Sequence, residues 1–122
     1  KEPSKSPTIT NILSCEDDLT VPATPSNPVD EFTFDFTSDD DTQGMKYEVI
    51  DENNNTIPIS KITVTDEDGN IIKQVTNTNE IIVDRTPQNG GILSDKPFTV
   101  TITPVTPQIA PFLIYKECYT SA

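Results

Sequence analysis

Residues 56–84 read TIPISKITVTDEDGNIIKQVTNTNEIIVD, and the spacing of their apolar side chains decides the fold. Ile62 and Val64, and again Ile71 and Val75, recur at even spacing with Lys61, Thr63, Thr65 and Lys73 between them. That is the period of a strand with one face buried. Asp66, Glu67, Asp68, Gly69 and Asn70 separate the two runs, and Gly69 supplies the positive φ that a tight connection needs. The pattern predicts a β-hairpin over residues 60–76. Ile81, Ile82 and Val83 then read as a more fully buried strand.

The same period extends outward in both directions. EFTFDFT at 31–37 puts Phe32, Phe34 and Phe36 on one face and Thr33, Asp35 and Thr37 on the other. Met45, Tyr47 and Val49 alternate with Lys46 and Glu48, and Phe98, Val100 and Ile102 alternate with Thr99, Thr101 and Thr103. Residues 112–119 place Phe112, Ile114 and Cys118 opposite Leu113, Tyr115 and Tyr119. A first strand is expected at 8–13, with Ile9, Leu13 and then Cys15 on one face. Residues 21–28 carry three prolines, which cannot donate to a ladder, and read as a loop or extended crossing. Polar or proline-rich turns fall at 38–44, 51–55, 86–91 and 104–111. No window carries apolar residues at helical spacing. These signals predict an all-β, Ig-like two-sheet β-sandwich of about eight mostly antiparallel strands, with a closed barrel as the alternative. Its boundaries are expected at a linker over 1–7, one domain over 8–120 and a tail at 121–122. KEPSKSP is a polar, proline-punctuated opening, so neighbouring domains of the same polypeptide are expected.

Composition narrows the function classes. The 122 residues carry 20 acidic and 8 basic side chains, a formal charge of −12 at pH 7. Phosphate backbones and anionic membrane surfaces would be repelled, so no nucleic acid and no membrane insertion are expected. The longest apolar run, 111–115, is strand-sized. There is no histidine, so Ser/His and Cys/His nucleophile pairs are excluded, as is a four-ligand zinc site built from two cysteines. Paired carboxylates carry no information in so acidic a chain, and no phosphate-binding glycine loop is present. Catalysis is not expected.

The remaining candidates are structural or ligand-binding. Cys15 and Cys118 both fall on the apolar parity of their strands and enclose 102 residues. A disulfide between them fits an oxidising, extracellular location, secreted or at the cell surface. It would stabilise by about 4.7 kcal/mol in the chain-entropy picture. Two buried free thiols are the alternative. Asp39, Asp40 and Asp41 in one turn, and Asp66, Asp68 and Asn70 with Glu67 in another, offer the hard oxygen ligands that Ca²⁺ takes. Solvated turns that protect sheet edges are the competing explanation, and no other cofactor is expected. Asn54-Asn55-Thr56 is an N-glycosylation acceptor if the chain is secreted by a eukaryote. Tyr115 and Tyr119 are the aromatics placed to stack on a sugar, or to cover the terminal strand.

Residues 47–83 resemble the transthyretin-like, or carboxypeptidase regulatory-like, sandwich family. The resemblance lies in Val49-Ile50-Asp51, Ile57-Pro58-Ile59, Ile62-Thr63-Val64, Asp66 to Gly69, Val75-Thr76 and the strand at Ile81. Tyr47 stands where that pattern has a small glycine, and Asn79-Glu80-Ile81 where it has a glycine-aromatic step. A general immunoglobulin-like or fibronectin-type module accounts for the same residues. Such families imply an accessory, noncatalytic extracellular module and carry over no functional residue. The expected function is a spacer or adhesion unit with an extracellular protein or glycan partner. The alternatives are a calcium- or carbohydrate-binding module using the acidic turns, and an acidic protein of a mineral or cationic matrix.

Overall fold

The protein is described as a computed structural model over residues 8–9, 19–38 and 42–120. Among these residues lie nine strands: β1 (Thr8–Ile9), β2 (Leu19–Val21), β3 (Phe32–Phe36), β4 (Thr42–Asp51), β5 (Ile59–Thr65), β6 (Ile71–Thr76), β7 (Glu80–Asp84), β8 (Phe98–Pro104) and β9 (Phe112–Thr120). A single 3-10 turn, Pro87–Asn89, follows β7. One sheet has the order β1-β3-β8-β5-β6 and the other β2-β9-β4-β7. β1 runs parallel to β3, and every other pairing between these strands is antiparallel. The fold is therefore an all-β two-sheet sandwich, as the alternation predicts.

Alternation also builds the core. β3 and β8 bury every second residue, because each side chain in turn points to the opposite face of the sheet. Phe32, Phe34, Phe36, Val100 and Ile102 are fully buried from one sheet, and Val49, Val83, Phe112 and Ile114 from the other. The sheets meet through aromatic rings. Phe34 packs edge-on against Tyr47 at 5.1 Å, Phe32 against Phe112 at 6.5 Å, and Phe36 lies between Tyr47 and Phe98. Tyr47 keeps its phenol inside, where the hydroxyl donates to Met45 Sδ at 3.3 Å, and burial pushes its ionisation far up.

Three details depart from the sequence reading. Leu19–Val21 is a strand that the sequence reading does not assign, the crossing read over 21–28 beginning at its last residue; three residues with one buried side chain are too short to show a period. Ile82 is half-exposed while Ile81 and Val83 are buried, because alternate side chains of β7 point away from the other sheet, onto the outer face of the sandwich. A bulge between Val64 and Thr65 sets Thr65 opposite Ile71, so Ile71 turns outward at 62 % exposure instead of joining the core. Lys116 completes the inward row of β9 and is buried.

The strands run between two ends of the sandwich. The 66–70 hairpin, the 85–97 connection, the start of β4 and the end of β9 lie at one end, called here the upper end, as the pairings Phe36↔Phe98, Thr65↔Thr99, Gly44↔Asp84 and Thr42↔Thr120 require. Residues 22–31, 52–58, 77–79 and 105–111 lie at the lower end. β1 runs upward beside β3, and β9 also runs upward.

Candidate functional site

Two of the described connections, the 66–70 hairpin and the 85–97 segment, converge at the upper end, and their side chains set its chemistry. In the hairpin after β5, Asp66 Oδ1 accepts from the backbone N–H of Asp68 and of Asn70, both at 2.9 Å. Asp66 N–H in turn donates to the Asn70 carbonyl, and Gly69, at φ +84°, donates to the Asp66 carbonyl. The carboxylate therefore holds its own turn together, in the manner of an Asx turn. The hydrogen bond from Asn70 N–H, ahead of the opposing effect of partial burial, holds its pKa below the ordinary value of 3.8. The lower end repeats the device: Asp51 Oδ1 accepts from Asn53 and Asn55 at 2.8 and 2.9 Å, and Asn54 takes the glycine's place at φ +67°.

The expected calcium ligands are consequently divided. Asp66, Asp68 and Asn70 share one hairpin, but Asp66 Oδ1 is committed to the turn and Oδ2 faces the Asn70 amide at 3.4 Å. Among the described residues no group of three His, Cys, Asp or Glu side chains could hold a metal ion. Asp39, Asp40 and Asp41 lie outside the described residues. Asn54 is exposed, on a turn that leaves its side chain open to solvent. Cys118 is half-buried against the core and is not a free thiol. Cys15 lies outside the described residues.

The connection after β7 is tied down by charged side chains. Arg85 donates from Nη1 to Ser38 Oγ at 2.9 Å and to the Ile92 carbonyl at 3.1 Å, and from Nη2 to Ser94 Oγ at 3.0 Å. It thus fastens residues 92–94 to the end of β3. One residue earlier, Asp84 Oδ1 accepts from Thr86 N–H at 2.8 Å and from the Thr86 hydroxyl, while Oδ2 accepts from Asn89 Nδ2 at 2.9 Å. Burial acts to raise the Asp84 pKa, but these bonds and the nearby Lys73 charge outweigh it and the carboxyl sits below its ordinary range. Lys73, arriving from β6, donates to Asn89 Oδ1 at 2.7 Å and to the Ile82 carbonyl on the edge of β7. Desolvation lowers the Lys73 pKa, partly offset by Asp84.

Beside this cluster is a shallow groove of about 230 Å³. Its floor includes Ile72, Leu93 and Phe98, and Asp66, Glu67 and Asp68 line its acidic side with Lys96 nearby. Leu93 is 61 % exposed. Sequence reasoning reached the acidic hairpin but missed the Lys73, Asp84 and Asn89 cluster. The available signal was a lysine on the inward parity of a strand, which needs a buried acceptor, together with the Asn89-Gly90 turn.

No family model and no curated protein matches this sequence. Among solved structures, the chain is similar to the pre-peptidase C-terminal domain of a collagenase from Bacillus anthracis. That likeness has 10 % identity and a TM-score of 0.49, covering 96 % of this chain and 99 % of that one. No helix among the described residues is long and apolar enough to cross a membrane.

Proposed function

We propose that this chain is a noncatalytic β-sandwich module of a secreted or cell-surface protein, serving as a spacer or adhesion unit between neighbouring parts of one polypeptide. The observation that carries this reading is the path of the chain. β1 starts toward the lower end beside β3, and β9 finishes at the upper end. Tension along the polypeptide therefore runs parallel to the strands and loads the β1–β3 pair in shear. The core between the sheets is filled by side chains, and the polar clusters at the upper end are spent on holding loops.

A disulfide between Cys15 and Cys118 completes the proposal. It would carry the load across the fold and shield the 102 residues between the two cysteines. Single-molecule pulling tests this directly. With the bond intact, no large extension is released. After reduction, unfolding should release on the order of 35 nm of chain, at up to about 3.6 Å per residue. Equal release with and without reductant would overturn the proposal.

A further inference from the structure

Lys73, Asn89 and Asp84 form a contact chain of an amine, a carboxamide and a carboxylate. Lys73 Nζ lies 2.7 Å from Asn89 Oδ1, and Asn89 Nδ2 lies 2.9 Å from Asp84 Oδ2. The amide carbon is one carbonyl bond beyond Oδ1, so Nζ is no more than about 3.9 Å from it. The parts are held in place. Thr86 fixes the Asp84 carboxylate through its N–H and hydroxyl, and the 3-10 turn fixes Asn89, whose N–H donates to the Thr86 carbonyl at 3.1 Å. Lys73 is drawn in from the surface toward the seam between the two edge strands, with the Ile82 carbonyl as its second acceptor. Neither of its hydrogen-bonded partners is a carboxylate, and the Asp84 charge offsets only part of what its ammonium loses on leaving water.

We propose that Lys73 and Asn89 are joined by an intramolecular amide bond that the folded protein forms on itself, with Asp84 carrying the proton. Lys73 gives up one proton to become a neutral amine, and the Asn89 amide turns about its broad χ2 torsion to face it. The Nζ lone pair forms a bond to Cγ. The Cγ–Nδ2 bond breaks with its electron pair staying on nitrogen. Asp84 accepts a proton released from Nζ and delivers it to Nδ2, which leaves as ammonia, and the carboxylate is regenerated. One amine and one primary amide become one secondary amide and ammonia, with no oxidant or cofactor. Desolvation of Lys73 favours the neutral nucleophile, and fixed neighbours replace a collision in solution by a positioned encounter. The bond would tie β6 to the turn after β7.

The test is the intact mass of the purified, reduced protein, followed by tryptic digestion. The expected mass is one ammonia below that of the sequence. Trypsin should fail to cut after Lys73 and yield a branched peptide containing both residues, whereas Lys73→Arg should have its full mass. Asp84→Asn should be recovered largely unlinked. A wild-type protein of full mass, with the peptide ending at Lys73 recovered, overturns the proposal. So does a deficit that persists in Lys73→Arg and is opened by hydroxylamine, since the Asn89-Gly90 backbone can lose ammonia to a cyclic imide without the lysine. Should the variants fail to fold, the digest of the wild-type protein decides alone.

Discussion

Replacing Gly44 by alanine tests how closely β4 and β7 approach at the upper end. Gly44 pairs with Asp84 across the ladder and follows a register shift between Thr42 and Gly44 on the β9 side. A Cβ there would lie 2.6 Å from Asp84 Cβ, 2.7 Å from the Val83 carbonyl oxygen and 3.2 Å from Asp84 Cα. Two of these three atoms are backbone and the third is a Cβ, so no rotamer change relieves the contact. The strands must separate. Alanine would otherwise stabilise by about 0.4–1 kcal/mol through the unfolded chain. Against that stands an overpacking cost of about 1–3 kcal/mol, and a strained terminal ladder bond adds about 1 kcal/mol. The net expectation is a loss of about 1–3 kcal/mol, which for a domain of this size lowers Tm by about 4–12 °C. Thermal melts followed by circular dichroism at neutral pH measure it. Gly69→Ala is the comparison, since that glycine has open space around it and only its φ of +84° to lose. A Gly44→Ala melt at or above the wild-type temperature would refute the argument from close approach.

Two further outcomes follow from the charged side chains of the turns and strands. Asp51 and Asp66 titrate below their ordinary 3.8 because backbone N–H groups, first those of Asn55 and Asn70, bond their ionised forms. A carboxyl whose folded pKa is depressed adds stability above its unfolded pKa and loses it as pH falls through the folded one. The Tm difference between wild type and the Asp51→Ala, Asp66→Ala pair should therefore be constant from pH 7 to about pH 5 and shrink below about pH 4; a difference that grows on acidification would contradict the turn-capping role. Glu48 and Glu80 stand directly opposite on β4 and β7. Like charges so placed repel, and Glu80→Lys should raise stability in chemical denaturation by about 0.2–1 kcal/mol at low salt, with the gain fading as salt is added.

How much of this was legible in the sequence depends on the range of the interaction involved. Phe32, Phe34 and Phe36, or Phe98, Val100 and Ile102, announce their strands because a period of two is a local property of the chain. The Asp66 hairpin is local too, and its acceptor lies within four residues of its donors. What the alternation could not say is which strands share a sheet. β3 pairs with β8 and β4 with β9 across more than sixty residues, and the outward turn of Ile71 comes from a bulge that only the partner strand imposes. The Lys73 cluster is hidden for the same reason. Lys73 and Asn89 are 16 residues apart, and they meet only because β6 and β7 are the adjoining edges of different sheets.

That location has a physical logic. A sandwich opens most easily where two edge strands face each other with no ladder between them, and unpaired edges are where foreign strands add. Here the 3-10 turn packs on both β6 and β7, Lys73 occupies the Ile82 carbonyl at the edge of β7, and Gly90, at φ +102°, brings the backbone against Ile72. Hydrogen bonds alone would leave this closure among the weaker parts of the fold. An amide bond across it would enclose the 15 residues between Lys73 and Asn89, which the chain-entropy picture values at about 3 kcal/mol. Nested inside the much longer Cys15 to Cys118 loop, it would act when the disulfide is reduced. Those 15 residues could not then extend under load, and the chain released on pulling would fall short by about 5 nm at full extension. The two links divide the work: one would relieve the domain of force while the other keeps its open side shut.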